Sequence, residues 1–369
     1  MIVKRPAGPA EFDVEKYAKG CLKYTLFGNK ENAEYDFKKV KGGFLFVPVY
    51  PTTYIIDESF YNRLFTILNL ALTPSYTLIR PLTMQVIEIP NAGAGRSRGL
   101  FIPAREGKPR RLSGTSADLA KSARETGRIP LMDLMSWDYV KSPHAVITGV
   151  SGSGKSYFLK YLFSACSRLG DVFAIDPKCS DLARLAKQKN VENVVIPSFS
   201  EGVNSIGGSY LQTVVEVLEQ LETQMYERQE KLFDSTNRIS TDYREIGLKP
   251  IFIFIDEVAA LMTGADKAVK TSFQNILTRL VVLGREAGVY LVLSMQSARA
   301  DYIPTIVRDS ISLRVQLGRI NSENSRFLFP ELSEMPFVPL GGKGSGILSI
   351  AGDESFAGIE PLLTPTILD

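Results

Sequence analysis

One octapeptide carries the residue types and the spacing of a phosphate-binding loop. Gly149-Val150-Ser151-Gly152-Ser153-Gly154-Lys155-Ser156 fits the pattern G-x-x-x-x-G-K-[ST] and lies between an apolar run and a helical run. In such a loop the glycines let backbone N–H groups surround a triphosphate at a helix N-terminus. Lys155 would reach the β- and γ-phosphates, and Ser156 would hold Mg²⁺ through its hydroxyl. The predicted contacts to ATP are Gly149, Gly152, Ser153, Gly154, Lys155, Ser156 and Tyr157.

A second motif, further along the chain, supplies carboxylates. The apolar run Ile251–Ile255 ends in Asp256 and Glu257, which is the Walker B arrangement. Asp256 would orient Mg²⁺ and its waters, and Glu257 would polarise the attacking water as general base. A buried strand that ends in acids is weak evidence alone, but together with the P-loop it predicts hydrolysis of ATP.

Two further side chains flank the next apolar strand, residues 289–293. Gln296 follows its carboxyl end, where an amide could sense the γ-phosphate or simply satisfy the strand terminus. Arg285 ends the preceding helix, on the side away from its own P-loop. It could complete the site of a neighbouring subunit, or it could bind the carbonyls at the end of its own helix.

Apolar runs and periodicity predict the elements that hold these residues. A long amphipathic helix is expected over residues 209–233, and the P-loop helix should end at Gly170. The strand over residues 312–317 alternates polar and apolar residues, as a strand near a sheet edge would. Another strand, residues 172–175, is followed by Asp176-Pro177-Lys178, which either faces a ligand crevice or forms an exposed salt-bridging turn.

The composition excludes several classes of protein. The 369 residues are 44% hydrophobic and 22% charged, with a formal net charge of +3, so the chain is no polybasic coat. Three cysteines argue for a reducing compartment and against a disulfide framework. No apolar run approaches the roughly 20 residues that span a bilayer, and no signal segment opens the chain. We therefore expect a cytoplasmic protein with no direct membrane insertion.

Changes in composition predict four segments. Residues 1–34 are expected to form an irregular arm with one short helix near residues 14–22, and residues 35–90 a small α+β domain with a helix over residues 58–72. Residues 91–128 carry nine Lys or Arg against three acids, and are either a solvated Gly-rich linker or a phosphate-contacting arm. Residues 129–369 would form the nucleotide-binding domain.

Several separated motifs together point to a known family. They are Ile175-Asp176-Pro177-Lys178, Ile255-Asp256-Glu257, Leu283-Gly284-Arg285-Glu286-Ala287-Gly288 (which precedes an apolar strand and Gln296), Gly342-Lys343-Gly344-Ser345-Gly346, the segment Trp137–His144 before the P-loop, and the run Ile306–Val315. These motifs resemble the FtsK/SpoIIIE motor ATPases, and in particular the FtsK-like coupling proteins of conjugative elements in Gram-positive bacteria. The resemblance covers roughly residues 128–360 and is faint over residues 1–127.

The resemblance implies an α/β fold: a RecA-like P-loop NTPase core, a mostly parallel sheet flanked by helices, with the small N-terminal α+β domain. It also implies a hexameric ring that moves along DNA with ATP, in which Arg285 matches the arginine that completes a neighbour's site. Family members commonly have Arg-Pro after the sensing glutamine, whereas this chain has Ser297-Ala298. That DNA contact is therefore absent or moved to Arg299. No winged-helix module follows Asp369, so directional reading of chromosomal sequence is not expected.

These observations predict a DNA-translocating ATPase of a mobile element, either a conjugative coupling protein or a plasmid-maintenance motor. The expected partners are double-stranded rather than single-stranded DNA, further copies of the chain, a relaxase or replication initiator, and a membrane-bound transfer component. Arg299 and Arg308 are candidate pore-side DNA contacts, with a structural salt bridge equally open for each. The alternative is a nucleotide-switched DNA-binding or scaffold protein in plasmid replication or maintenance, although Glu257 favours hydrolysis.

Overall fold

The computed structural model describes residues 13–28, 34–198, 209–235, 238–320, 322–330, 332, 342–352 and 358–368. The chain divides into two compact units. The first is Met1–Lys108 with Ala357–Ile359, and the second is Pro109–Phe356 with Glu360–Asp369.

The first unit is an α+β unit built on an antiparallel sheet. Its strands pair in the order β1-β2-β6-β3, and β5 also pairs with β6. Apolar faces of both helices pack with aromatic residues of the sheet in one core. Its elements are α1 (Val14–Thr25), β1 (Tyr35–Val40), β2 (Gly43–Pro48), α2 (Glu58–Leu72), β3 (Tyr76–Leu78), β4 (Arg80–Pro81), β5 (Gln85–Glu88) and β6 (Arg98–Glu106).

Carboxylate caps explain where the two helices of this unit begin. The side chain of Asp13 accepts a hydrogen bond from Lys16 N at 3.0 Å, and that of Asp57 accepts one from Phe60 N at 2.7 Å. Each satisfies a backbone donor that has no intrahelical partner. The helix expected over residues 58–72 has the bounds of α2.

The second unit alternates strands and helices. Its first half contains β7 (Ser113–Gly114), α3 (Ser116–Thr126), β8 (Ile129–Met132), β9 (Met135–Trp137), β10 (Ala145–Gly149), α4 (Lys155–Cys166), β11 (Asp171–Ile175), α5 (Asp181–Gln188), β12 (Val194–Val195) and α6 (Ser209–Ser235). Its second half contains β13 (Ile251–Ile255), α7 (Val258–Met262), α8 (Lys267–Ala287), β14 (Val289–Met295), α9 (Thr305–Ser310), β15 (Leu313–Leu317), α10 (Ser322–Leu328), β16 (Ser345–Ile350), β17 (Gly358–Leu363) and β18 (Thr366–Ile367).

The main sheet of the second unit follows the order β12-β11-β13-β14-β10-β15-β16-β17. The strands from β12 to β15 are parallel, and β16 is antiparallel to β15. β10, β13 and β14 are buried along their whole length, as strands covered on both faces are. The mostly parallel α/β sheet predicted from the sequence is therefore confirmed.

Two details of the second unit differ from the prediction. β15 is not near an edge, because it lies between β10 and β16, and Gln316 is 1% exposed where its side chain accepts a hydrogen bond from Ser325 Oγ. Its polar residues alternate with apolar ones for internal hydrogen bonding, not for contact with water. The P-loop helix ends at Cys166 rather than at Gly170, and Gly170 closes the following turn by donating to Cys166 O at 3.0 Å.

The segments predicted over residues 1–34 and 91–128 also contain ordered elements. α1 lies in the first of these segments, where the sequence predicts a short helix near residues 14–22, and it contributes Leu22 to the core of the first unit. β6 and α3 lie in the second segment, in which the sequence suggests a linker, and the two units divide there at Lys108. Within the described ranges, no helix combines the length and the apolar character of a membrane span.

Candidate active site

The P-loop connects the carboxyl end of β10 to the start of α4 at the carboxyl edge of the parallel strands. Gly152 and Gly154 have φ values of +79° and +99°, a region that glycine adopts without steric cost. A side chain at Gly154 would also collide with Gly344, whose backbone N lies 2.6 Å from the place of a Cβ. Glycine is therefore required at position 154 both by the backbone and by what packs against it.

A second layer of chain supports the loop from the late glycine motif. Gly344 N donates to Ser153 O at 2.6 Å. The guanidinium of Arg111 donates to Lys343 O at 2.5 Å and to Thr364 O at 2.8 Å, which ties this turn to the C-terminal strands. Partial burial lowers the pKa of Arg111. The turn formed by the 342–346 motif therefore packs against the P-loop and helps to hold the loop backbone in place.

Lys155 forms the centre of a buried polar cluster. Its Nζ donates to Ser294 Oγ at 2.7 Å and to Asp256 Oδ1 at 3.2 Å. Ser294 Oγ in turn donates to the same Asp256 oxygen at 2.8 Å. The side chains of Lys155 and Asp256 are 11% and 9% exposed, so their charges are compensated within the protein rather than by water.

Glu257 is held in an uncommon backbone conformation by the same cluster. Its φ of +47° lies in the left-handed region, where non-glycine residues are rare. Its N–H donates to Asp256 Oδ1 at 3.0 Å, and its Oε1 accepts a hydrogen bond from Gln296 N at 3.2 Å. Its Oε2 accepts one from Lys178 Nζ at 2.8 Å and lies 3.9 Å from Lys155 Nζ. Both carboxylate oxygens are engaged.

Asp176 organises the turn that presents Lys178. Its fully buried carboxylate accepts hydrogen bonds from Lys178 N at 3.0 Å, Ser180 N at 2.8 Å and Ala183 N at 3.1 Å. The sequence leaves open whether this turn faces a ligand crevice or is an exposed salt-bridging turn. Asp176 does neither, because its carboxylate is buried and fixes the start of α5. Lys178 does form a salt bridge, but its partner is Glu257, inside the site.

The residues present fit ATP and Mg²⁺. Ser156 and Tyr157 are exposed at the first turn of α4, whose backbone N–H groups have no intrahelical partners. The hydroxyl of Ser156 and the carboxylate of Asp256 are the hard oxygen donors that Mg²⁺ prefers, together with waters and phosphates. No group of three or more His, Cys, Asp or Glu in the described part of the chain could hold a metal ion alone, and a nucleotide-bound Mg²⁺ needs none.

Arg285 lies at the opposite edge of the sheet from the P-loop. It is exposed in the last turn of α8, just before β14 begins. β14 has seven residues, which at about 3.3 Å per residue separate its two ends by about 20 Å. Its charge acts on the loop at Asp242, where Arg244 and, more weakly, Arg285 lower the pKa of the Asp242 carboxyl.

The two candidate DNA contacts differ in their surroundings. Arg299 is exposed in the segment after β14. Arg308 lies within helix α9 rather than on a loop, and its side chain is 17% exposed. Its guanidinium pairs with Asp309 at 2.7 Å and lies over the ring of Phe327 at 5.3 Å, so its charge is already compensated.

Three residues of the site were not among the predicted site residues. Ser294 is a fully buried hydroxyl in an otherwise apolar strand, and that contrast is the signal that could have identified it. The sequence does not decide the role of Lys178, since it does not show which strand lies next to β13. Arg111 was one of many basic residues in its segment, and no local pattern distinguishes it.

Comparisons with known proteins show which proteins the chain resembles. No protein-family profile matches the chain. The FtsK domain-containing protein YdcQ of Bacillus subtilis (strain 168) is 34% identical over 233 residues, which are 61% of this chain and 44% of that protein. The DNA translocase FtsK of Treponema pallidum (strain Nichols) is 28% identical over 220 residues, 56% of this chain and 25% of that protein. The chain thus spans less than half of the length of these relatives.

A solved structure extends the similarity to the fold of nearly the whole chain. The pCW3 conjugation coupling protein TcpA, in its monomer form with ATPγS, superposes with a TM-score of 0.55 and 18% identity. The superposition covers 95% of this chain and 94% of that one. By sequence the chain therefore resembles FtsK domain-containing proteins, and its second unit has a P-loop ATPase fold.

Proposed function

We propose that the chain hydrolyses ATP with Mg²⁺ and uses the free energy to move DNA through a ring of identical subunits. The observation that carries the proposal is the convergence of Lys155, Asp256 and Glu257 at the carboxyl edge of one parallel sheet. This edge is where ligands bind in open α/β sheets. The names of the relatives, DNA translocase and conjugation coupling protein, support DNA as the substrate.

The chemistry follows from the positions of these side chains. Bound MgATP supplies the phosphoanhydride and the metal charge that helps to stabilise its cleavage. Lys155 would exchange its contacts with Asp256 and Ser294 for the β- and γ-phosphates, and Ser156 and Asp256 would hold the metal and its waters. Glu257 accepts a proton from the water that attacks the γ-phosphorus, and the bond from that phosphorus to the bridging oxygen breaks.

The ring is proposed from the place of Arg285. An arginine about 20 Å from its own P-loop cannot reach its own γ-phosphate, but it can reach that of a neighbour. Gln296, which follows β14 and whose N–H already contacts Glu257, is suited to sense the γ-phosphate in the same subunit. We propose a hexamer of this arrangement.

The biological setting is part of the same proposal. We infer a cytoplasmic motor of a conjugative element or plasmid that acts on double-stranded DNA. A relaxase or replication initiator and a membrane-bound transfer component would be its partners. The similarity in sequence and fold to proteins named for translocation and conjugation supports this setting.

The test is the ATPase rate with and without double-stranded and single-stranded DNA, combined with the mass of the ATP-bound assembly. We expect DNA-stimulated turnover by a hexamer, Lys155→Ala without nucleotide binding, and Glu257→Gln with binding but no turnover. Slow turnover that DNA leaves unchanged, in a monomer, would favour the nucleotide-switched scaffold instead. If Glu257→Gln hydrolyses ATP at the rate of the wild type, Glu257 is not the general base.

A further inference from the structure

The ion pair between Lys178 and Glu257 joins two adjacent strands at the candidate base. Lys178 Nζ donates to Glu257 Oε2 at 2.8 Å, from a side chain that is 43% exposed to one that is 7% exposed. The two residues are 79 positions apart and follow β11 and β13, which pair in parallel. No catalytic step above uses Lys178, so the contact needs an explanation of its own.

The pair occupies the atoms that hydrolysis requires. A general base must turn a free oxygen toward the attacking water at about 2.6–3.2 Å. In the structure Glu257 Oε2 accepts the hydrogen bond of Lys178, and Oε1 accepts that of Gln296 N at 3.2 Å. A hydrogen bond to an ionised partner is stronger than a neutral one, so the lysine contact is the harder of the two to exchange for water.

Backbone strain lies on both sides of this pair. Glu257 has a φ of +47°, and Cys179, next to Lys178, has a φ of +48°. Non-glycine residues hold such values only where surrounding contacts fix them. Around Cys179 these contacts are the hydrogen bonds that Lys178 N and Ser180 N donate to the Asp176 carboxylate. At Glu257 they are the hydrogen bond that its own N–H donates to Asp256 Oδ1 and the pair with Lys178. A shift of the β11–α5 turn would therefore separate Lys178 from Glu257 and release the base.

We propose that Lys178 is a positioning residue that restrains Glu257 while no DNA is bound, and that hydrolysis begins only when this ion pair is exchanged. The inference rests on the proposed function, since it assigns regulation to the same site. Movement of the turn after β11 would control the exchange, so a partner such as DNA that displaces this turn would stimulate turnover. Lys155 cannot replace Lys178 in this role, because phosphate draws Lys155 away.

The first test is the ATPase rate of Lys178→Met, which keeps the length of the side chain without its charge. We expect the DNA-free kcat to rise about tenfold, which corresponds to about 1.4 kcal/mol of lost restraint, with KM unchanged. The DNA-stimulated rate should stay near that of the wild type. Lys178→Arg, which can still pair with a carboxylate, should restore the low DNA-free rate.

Lys160→Met is the matched control, because it removes an ammonium from a neighbouring ion pair, Lys160–Asp181 at 3.4 Å, that does not involve Glu257. It should leave both rates unchanged. A DNA-free kcat of Lys178→Met that equals or falls below that of the wild type would overturn the restraint and make the lysine a structural or assisting group.

A double-mutant cycle tests the pair without any turnover. The effects of Lys178→Met and Glu257→Gln on unfolding should be non-additive both in the nucleotide-free protein and with saturating ATPγS and Mg²⁺, and this coupling should disappear when duplex DNA is added to the ATPγS-bound protein. Coupling that is absent without nucleotide, or unchanged by DNA, would contradict the inference even if the protein is an ATPase. Absence of ATPase in the wild type would instead contradict the proposed function and leave the result of the cycle standing.

Discussion

Ser294 Oγ lies 2.8 Å from Asp256 Oδ1 and 2.7 Å from Lys155 Nζ, and so links the two charged groups of the nucleotide site through one buried hydroxyl. The Lys155–Asp256 contact itself is longer, at 3.2 Å. In the nucleotide-free cluster the hydroxyl therefore provides a short hydrogen bond to each of the two buried charges. In the proposed ATP-bound state, in which phosphate would draw Lys155 away, the same hydroxyl would still hold the carboxylate in place.

Ser294→Ala should weaken both states of the site. Removing the hydroxyl leaves Asp256 and Lys155 with one hydrogen bond fewer each in a buried setting, at a cost of about 1–2 kcal/mol in the free energy of unfolding. Because Asp256 loses a partner that orients it, kcat of the ATPase should fall by about tenfold while nucleotide binding persists. Urea unfolding and steady-state kinetics measure the two effects.

Ser164→Ala provides the control for this change. Ser164 is also a buried serine, 4% exposed, but it lies further along α4 and takes no part in the hydrogen bonds of Asp256 that the structure describes. It should leave kcat unchanged. Equal kinetic effects of the two substitutions would mean that Ser294 matters only for packing.

Arg285 is expected to act between subunits. Arg285→Ala should lower the ATPase rate by about a thousandfold or more, the contribution of such an arginine to phosphoryl transfer. Rings that mix Arg285→Ala with Lys155→Ala subunits should regain part of the activity that neither variant has alone. The recovery would come from interfaces that join an intact P-loop to an intact arginine, and it is measured as ATPase rate against mixing ratio.

The mixing experiment needs proof that the rings are mixed, for which native mass spectrometry of differently tagged subunits suffices. Arg285→Lys is the matched variant, since it keeps the charge without the bidentate geometry and should recover only part of the rate. If rings that are shown to be mixed recover no activity, Arg285 does not act on the nucleotide of a neighbouring subunit.

The two arginines proposed for DNA contact should behave differently. Arg299→Ala should lower the slope of log affinity against log salt by up to about one unit, as the loss of one phosphate contact does. Arg308→Ala should leave the slope unchanged, because Asp309 already compensates Arg308 at 2.7 Å. Fluorescence titrations of duplex DNA at several salt concentrations measure both slopes.

Arg299→Lys, which keeps the charge, should retain the slope of the wild type. A slope reduced by Arg308→Ala but not by Arg299→Ala would reverse the assignment. If neither variant changes the slope, the DNA path lies elsewhere, and the basic residues between positions 96 and 128 are the next to substitute.

His144 should make stability depend on pH. It is fully buried before β10, its Nδ1 accepts a hydrogen bond from Leu291 N at 3.0 Å, and burial lowers its pKa from 6.5 to about 4. Between these values the unfolded chain binds a proton that the folded chain does not, so stability falls as pH falls through this range. The loss is about 2.5 kcal/mol between pH 7 and pH 4.5.

His144→Asn isolates this contribution. Asparagine offers an acceptor for Leu291 N and tolerates the φ of +60° at this position, but it does not titrate. Urea unfolding at the two pH values should show a smaller loss for the variant, by about the amount given for the histidine. An equal loss in both proteins would mean that the folded histidine titrates normally.

Local patterns in the sequence were enough to predict several helices and strands, the P-loop and the two acids Asp256 and Glu257. The P-loop, the bounds of α2, the long helix α6 and the acid-ended strand β13 follow from glycine spacing and apolar periodicity, which act between neighbours in the chain. Such patterns constrain a helix or a strand because their physical causes lie within a few residues. They also placed Asp256 and Glu257 at the carboxyl end of a buried strand.

Only the tertiary structure decided which residues meet. Lys178 reaches Glu257 across 79 residues, Lys155 reaches Ser294 across 139, and Arg111 reaches the carbonyl of Thr364 across 253. These contacts depend on strand order, which sets β11 beside β13 and β15 inside the sheet rather than near its edge. Strand order is fixed by burial of the whole sheet between helices, a free energy summed over many distant residues, and no local pattern carries it.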